Sequence, residues 1–303
     1  MSRTAVQSSI DYTNTVILGK QQQIKLAFAC LLAGGHLLLD DRPGTGKTRL
    51  AKTLAQCLNL NMARIQFTSD LMPSDILGVS VFQHEEMVFH PGPIFNNIIL
   101  ADEINRASSR TQSALLEAMA EHQVSIDGKT YGLPSPFFVI ATQNPIDFSG
   151  THSLPEAQAD RFMLNLELGY PDSDFEKQIL LNLERFDDSI LNPFKPLLNS
   201  ETILNVQAEI AQINISENLV DILYKLINQT RQEKRFNHGL STRAGMQILK
   251  LARAVAYLDG ENSVFPEHIS EVFVQAAQHR IQLRKSSNPH EIQGILNEFL
   301  SSI

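Results

Sequence analysis

The chain has 303 residues, enough for one large domain or two ordinary ones, because single cores stop growing at roughly 250 to 300 residues. We expect two units. Apolar residues at 43% and charged residues at 19% exclude a disordered chain, and a formal net charge of -8 provides no footprint for phosphate backbones or anionic lipid, so nucleic acid is not an expected partner.

The first residues, Met1 to Asp11, are polar and lack the apolar core of a signal peptide. The longest apolar stretch, Leu26 to Leu39, is broken by Gly34, Gly35 and His36, so no membrane insertion and a cytoplasmic location are expected. Cys30 and Cys57 lie in apolar helical patterns and read as buried reduced thiols, too few for a disulfide framework or a usual zinc site.

From His36 to Leu168 short apolar runs alternate with helical patterns, the signature of a mainly parallel sheet with crossover helices. The predicted strands are His36 to Asp40, Ala63 to Phe67, Ile98 to Asp102, Phe137 to Thr142 and Leu164 to Leu168. Several are nearly continuous Ile, Leu, Val and Phe, as strands covered on both faces are. The stretches Leu71 to Phe95 and Gln123 to Ser135 break the alternation, and the second contains the turn pair Asp127-Gly128. Both are read as inserted β-hairpins, with irregular surface loops as the other reading.

After the first strand comes Asp41-Arg42-Pro43-Gly44-Thr45-Gly46-Lys47-Thr48, then Arg49 and a helical pattern through Cys57. A strand, a glycine loop and a helix in this order place backbone N–H groups and a helix N-terminus against phosphates, with Lys47 reaching the β and γ oxygens and the Thr48 hydroxyl holding Mg²⁺. Asp41 stands where a glycine is usual. The glycines that admit a phosphate closely, Gly44 and Gly46, are both present.

The strand Ile98 to Ala101 delivers Asp102 and Glu103 to its carboxyl end, where ligands of parallel sheets bind. Asp102 suits the Mg²⁺ shell and Glu103 the general base that polarises water. The strand Phe137 to Thr142 ends in Gln143-Asn144-Pro145, where Asn144 would position that water or form an ordinary turn.

Gly169, Tyr170, Pro171 and Asp172 end the alternation, and from Ser173 the periodicity is helical. The clearest helix runs over Thr242 to Leu258, with Met246, Leu249, Val255 and Leu258 on its apolar face. The basic clusters Arg231 to Arg235 and Arg280 to Lys285 read as solvated faces. His84, Glu85, Glu86 and His90 lack metal-site spacing, and His152, Ser153 and Asp147 form no triad, because no nucleophile elbow precedes them.

Together these elements resemble the AAA+ ATPases, and within them the MoxR family, related to the magnesium chelatase ATPase subunit. The resemblance covers about Val16 to Leu283 and rests on Leu100 to Ala107, Gln112 to Met119, Ala141 to Pro145, Leu154 to Gln158 and Asp160-Arg161-Phe162. It implies a P-loop αβα sandwich with a parallel sheet and β-hairpin insertions over residues 1–205, followed by a small all-α lid over 206–303.

By the same resemblance Arg161 matches the arginine finger inserted into a neighbour's ATP site, and Arg243 the second sensor arginine of the lid. The family's usual Gly-Ala-Ser-Pro-Arg appears here as Gly-Leu-Ser-Thr-Arg, residues 239–243. Ile17 and Gly19 lie in a segment, Val16 to Gly19, that matches the adenine-lining one, though bare apolar packing accounts for it as well. Phe82, Phe89 and Phe95 in the first hairpin would contact a partner or pack in the core. The implied activity is Mg²⁺-dependent ATP hydrolysis by a ring, a hexamer by resemblance, that remodels or matures a client protein or metalloenzyme, with a von Willebrand factor A domain protein as partner. The rival readings are a DNA-remodelling motor, disfavoured by the acidic chain, and a non-catalytic ATP-gated module, disfavoured by Glu103.

Overall fold

In the computed structural model residues 2–42, 44–83, 85–144, 154, 156–181, 194–285 and 289–302 are described. Pro43 of the phosphate loop, and His84, Pro145, Asp147, His152, Ser153 and Pro155, lie outside the described residues. Helices α1 (Ser2–Val16) and α2 (Gln21–Leu32) precede strand β1 (Leu37–Asp40), and α3 (Lys47–Leu58) leads to β2 (Met62–Gln66). Then come α4 (Pro73–Leu77), β3 (Gly78–Gln83), β4 (Glu86–Pro91), β5 (Ile98–Asp102), α5 (Ser109–Glu121), β6 (Gln123–Ile126), β7 (Lys129–Gly132), β8 (Phe138–Gln143), α6 (Glu156–Ala159) and β9 (Leu164–Leu166). The rest is helical: α7 (Ser173–Leu181), α8 (Ser200–Ala211), α9 (Glu217–Gln232), α10 (Thr242–Leu258), α11 (Pro266–Ala277) and α12 (Pro289–Ser301).

Five strands form one parallel sheet in the order β2-β5-β8-β1-β9. Its inner strands are buried up to their last residues because helices cover both faces, which is why they read as apolar runs rather than alternating ones. The pleat sorts their side chains. Leu37, Leu39, Ile98, Leu100, Phe138 and Ile140 join one core, and Leu38, Ile99, Ala101, Val139 and Ala141 the other. The edge strand β2 differs, exposing Arg64 and Gln66 and burying Ile65, and those two polar side chains matter below.

Both sequence-predicted hairpins are present, as β3 with β4 and β6 with β7. They are joined to each other by aromatic packing, Phe89 stacking on Tyr131 at 4.2 Å between ring centroids and meeting Phe95 edge-on at 5.7 Å. Phe82 is 69% exposed, so the three phenylalanines divide: two pack and one projects.

The first core runs without a break from the sheet, through α1 and α2, into α8 to α12. Helix α8 also passes straight through residue 205, where the first unit was expected to end. Helix α10 starts where the sequence places it, because the Ser241 hydroxyl accepts the Ala244 N–H at 3.0 Å and caps it without the family's proline. Its buried face is corrected at one position: Met246 is 56% exposed, while Val255, Ala244, Ala252, Ala254 and Ala256 are buried and Leu249 and Leu258 pack against the core, with Ile248 and Leu251 joining them where α10 meets α2 and α11. Arg280 is a second correction: the residue placed on a solvated face is only 4% exposed. Cys30 and Cys57 are free and buried. Among the described residues no helix is long and apolar enough to cross a membrane.

Candidate active site

The carboxyl ends of β1, β5 and β8 open on a cleft of about 560 Å³. Three kinds of wall meet there. Gly44 to Arg49 form one, Asp102, Glu103, Thr142, Gln143 and Asn144 the second, and Val16, Ile17, Leu18, Tyr170, Pro171, Ile179 and Leu180 a largely apolar third. Anionic, polar and apolar surfaces along one groove suit a triphosphate at one end and a flat base at the other.

The loop holds its shape through glycine. Gly44 and Gly46 sit at φ 82° and 90°, a region other residues enter at a cost, and a Cβ at either would meet nothing within 4 Å. Gly46 caps α3, whose first turn has no side-chain cap, so its N–H groups are available to an anion. The Lys47 ammonium donates to the carbonyl oxygens of Asp41 and, at 2.9 Å, Arg42. Partial burial lowers its pKa, and the carboxylates of Asp41, Asp102, Asp40 and Glu103 oppose that shift.

Asp41, which interrupts the usual glycine pattern, has a structural task. Its Oδ1 accepts the Arg42 N–H at 2.7 Å and its Oδ2 the Gly169 N–H at 2.6 Å, so it ties the phosphate loop to the turn after β9. Lys20 fastens the same turn from the other side, donating to the Tyr170 carbonyl at 2.8 Å. Gly19, at φ 72°, lies so near Phe175 of α7 that a Cβ there would fall 2.6 Å from the ring. Gly19 itself does not line the cleft; its neighbours Leu18 and Lys20 do. Asp40 at the end of β1 is pushed up to about 6, chiefly by burial and then by Glu167, against the pull of Lys47.

The acidic pair is held by its neighbours. Thr142 Oγ1 donates to Asp102 Oδ1 at 2.6 Å and accepts the Glu103 N–H at 2.9 Å. Arg64 donates to Asp102 Oδ2 through Nε at 3.2 Å and a terminal nitrogen at 2.6 Å. Gln66 and Arg106 each donate to Glu103 Oε2 at 2.9 Å. Glu103 adopts the left-handed conformation, φ 56° and ψ 50°, a strain of order 1 to 3 kcal/mol that such sites carry when the surroundings fix it.

Oxygen donors on Thr48 and Asp102, both facing the cleft, fit a hard divalent cation such as Mg²⁺. Arg161 and Arg243 are not among the lining residues. Arg161 follows α6, and Arg243 is exposed on the first turn of α10, since the neighbouring Ala244 and Gly245 turn the helix's buried side the other way. Four contributors were not singled out from sequence: Arg64, Gln66, Arg106 and Thr142. Thr142 left a trace as a polar residue at the end of an apolar strand, and Arg106 lies within the Leu100 to Ala107 stretch that carries the family resemblance.

Comparison with known proteins agrees with this geometry. The family described as ATPase family associated with various cellular activities (AAA) matches residues 36–164, and the AAA lid domain matches 228–298. The chain is similar to YeaC of Bacillus subtilis, 39% identical over 97% of this chain and 93% of that protein. It is also similar to Chaperone MoxR1 of Mycobacterium tuberculosis, 35% identical over 98% and 81%, and to Protein MoxR of Paracoccus denitrificans, 27% over 91% and 88%. A crystal structure from Cytophaga hutchinsonii, provisionally described as an ATPase, superposes with a TM-score of 0.89 at 35% identity, covering 100% of this chain and 95% of the other. With a strand-end carboxylate pair and a glycine loop lining one cleft, and a helical lid following in the chain, the chain belongs to the MoxR family of AAA+ ATPases.

Proposed function

We propose that this ATPase works on Mg²⁺-bound ATP as a ring, a hexamer, and uses the cycle to remodel or mature a partner protein. The observation that carries the reading is the single cleft shared by Lys47, Thr48, Asp102, Glu103 and Asn144. In it Gly44 to Gly46 and Lys47 bind the phosphates, and the apolar wall of Val16 to Leu18 takes the base. Thr48 and Asp102 would hold Mg²⁺, which when bound would supply neutralisation of the charge on the triphosphate. Glu103 orients water and takes its proton on Oε1, since Gln66 and Arg106 both occupy Oε2. Asn144 fixes the water against the γ-phosphate.

Arg161 serves as the finger on the neighbouring subunit's ATP, a role in keeping with its position outside its own cleft. Arg243 is the nucleotide-facing arginine of the helical unit. The exposed side chains Val79, Val81, Phe82, Met87 and Val88 of the first hairpin offer an apolar surface to a client. A von Willebrand factor A domain protein is the expected partner. The relative named Chaperone MoxR1 favours this reading over a DNA motor.

Lys47→Ala is expected to abolish nucleotide binding, and Glu103→Gln to bind ATP without turnover. Glu103→Gln, locked with ATP, then serves as bait for partners. Hydrolysis by Glu103→Gln at the parental rate would refute its role as base, and light scattering of the ATP-bound protein at monomer mass would refute the ring.

A further inference from the structure

We infer that Arg280 is a positioning residue that sets the finger Arg161 from within the helical unit and links it to Arg243; this rests on the reading of Arg161 as a finger. Arg280 follows α11 and is buried, and its guanidinium reaches three separate elements. Nε donates to Asp160 Oδ1 at 2.8 Å, one terminal nitrogen to the Phe162 carbonyl at 2.6 Å and to Gln247 Oε1, and the other to the Ala276 carbonyl. His279 adds a contact at 2.9 Å to the same Phe162 carbonyl. Arg161 is therefore bracketed: the residue before it is held by its carboxylate, the residue after it by its backbone oxygen. The bonds of Arg161 N–H to Gln158 O at 3.2 Å and Phe162 N–H to Ala159 O at 3.0 Å are local turns. Beyond them the segment is tied to the sheet by Met163 N–H to His36 O at 2.9 Å and to α5 by Gln158 to Ser113 at 3.1 Å, while Arg280 is the tie to the helical unit that acts on the two residues flanking Arg161.

A buried ion pair is a poor way to add stability, because desolvation offsets most of the attraction. What it supplies is direction. A guanidinium presents five donors in a rigid plane, and here four acceptors from the 160–162 segment, α10 and α11 match that plane. Gln247 lies one turn after Arg243 on α10, so the two side chains share a face. Rotation of α10 on engaging nucleotide would move Gln247, and Arg280 would pass that movement to the backbone at Arg161. Arg243 and Arg161 are thereby coupled through one buried side chain, in a contiguous set of contacts rather than by proximity alone.

The test uses Asp160→Asn, whose site is partly exposed and tolerates the change, with Arg280→Lys beside it. Each is expected to lower kcat about 10-fold, the scale of a displaced transition-state contact, with the affinity for a fluorescent ATP analogue within about twofold of the parent, since the subunit's own cleft is intact. Each is then mixed with Lys47→Ala subunits, which cannot bind ATP and carry an intact bracket and finger. Activity should recover in the mixture, as it should for Arg161→Ala mixed the same way. A merely structural role would damage the variant's own site and give no recovery. Parental kcat in Asp160→Asn, or loss without recovery while Arg161→Ala recovers, overturns the assignment of Arg280. Failure of Arg161→Ala itself to recover, with assembly intact, removes the finger reading and this inference with it.

Discussion

Thr142 joins the two acidic residues, and removing only its hydroxyl isolates that task. In Thr142→Val the side chain keeps its shape while Asp102 Oδ1 loses a donor at 2.6 Å and the Glu103 N–H loses its acceptor at 2.9 Å. A hydrogen bond to a charged group contributes about 1.5 to 3 kcal/mol and an orphaned buried N–H costs about 1 to 3 kcal/mol. Thr142 is fully buried, so water does not replace either bond at once, and partial relaxation leaves a loss of about 2 to 4 kcal/mol. At roughly 2 to 4 °C per kcal/mol, the melting temperature should fall by about 4 to 16 °C. Turnover should fall roughly 10²-fold, the penalty of a base displaced by about an ångström, because the left-handed turn at Glu103 loses its anchor. Thr142→Ser is the control. It keeps the hydroxyl and loses one buried methyl, about 1 kcal/mol, and should retain most activity. The assay is thermal unfolding beside steady-state ATP hydrolysis for both variants. If valine matched serine in stability and rate, the hydroxyl would not be the joint described here.

Acid should destabilise the fold through His36, which is buried with Nδ1 accepting the Val139 N–H at 3.0 Å and is pushed down to about 4 by that burial. The folded chain refuses a proton that the unfolded chain accepts below about 6.5, so stability is lost as pH falls from 6.5 towards 4, on the order of 2 kcal/mol at pH 5. Asp40, raised to about 6, acts in the opposite sense over the same range and partly cancels this loss, so His36→Gln should reverse the denaturant-midpoint profile, which then falls between pH 5 and 7 as Asp40 gives up its proton. Asp41→Ala removes the clamp on Gly169 and should accelerate amide exchange there and speed nucleotide release, both measurable on one sample; unchanged exchange at Gly169 would contradict the clamp. Gly19→Ala combines a positive φ with a 2.6 Å approach to Phe175, and should weaken ATP binding about 3- to 10-fold in a fluorescence titration while costing about 1 to 2 kcal/mol in stability.

The legible part of this protein was what local chemistry dictates. Apolar runs bounded by turn residues gave the five strands to within a residue or two at each end, because doubly covered strands leave no room for polar residues. Asp127-Gly128 set the second hairpin, and Ser241 the start of α10. Gly44, Gly46 and Lys47 announced the phosphate loop, since few other sequences bend a backbone round an anion.

What escaped was everything that depends on which distant segments meet. Helix α1 was not among the predicted elements, because its buried Val6, Ile10 and Val16 are separated by polar residues, and packing against α2, α3 and α10 gives that sparse stripe a partner. Arg64 and Gln66 sat on a strand of unremarkable composition until edge pairing in register with Leu100 and Asp102 brought them beside the acidic pair. Arg280 stood in a basic run that looked solvated, and became a buried hub because α11 ends against the segment carrying Arg161. The sequence by itself therefore determined the element types and the phosphate chemistry, which arise from neighbours along the chain. Tertiary structure decided most of what holds the carboxylates and the arginines in place, because hydrogen bonds between residues far apart along the chain leave no periodicity to read.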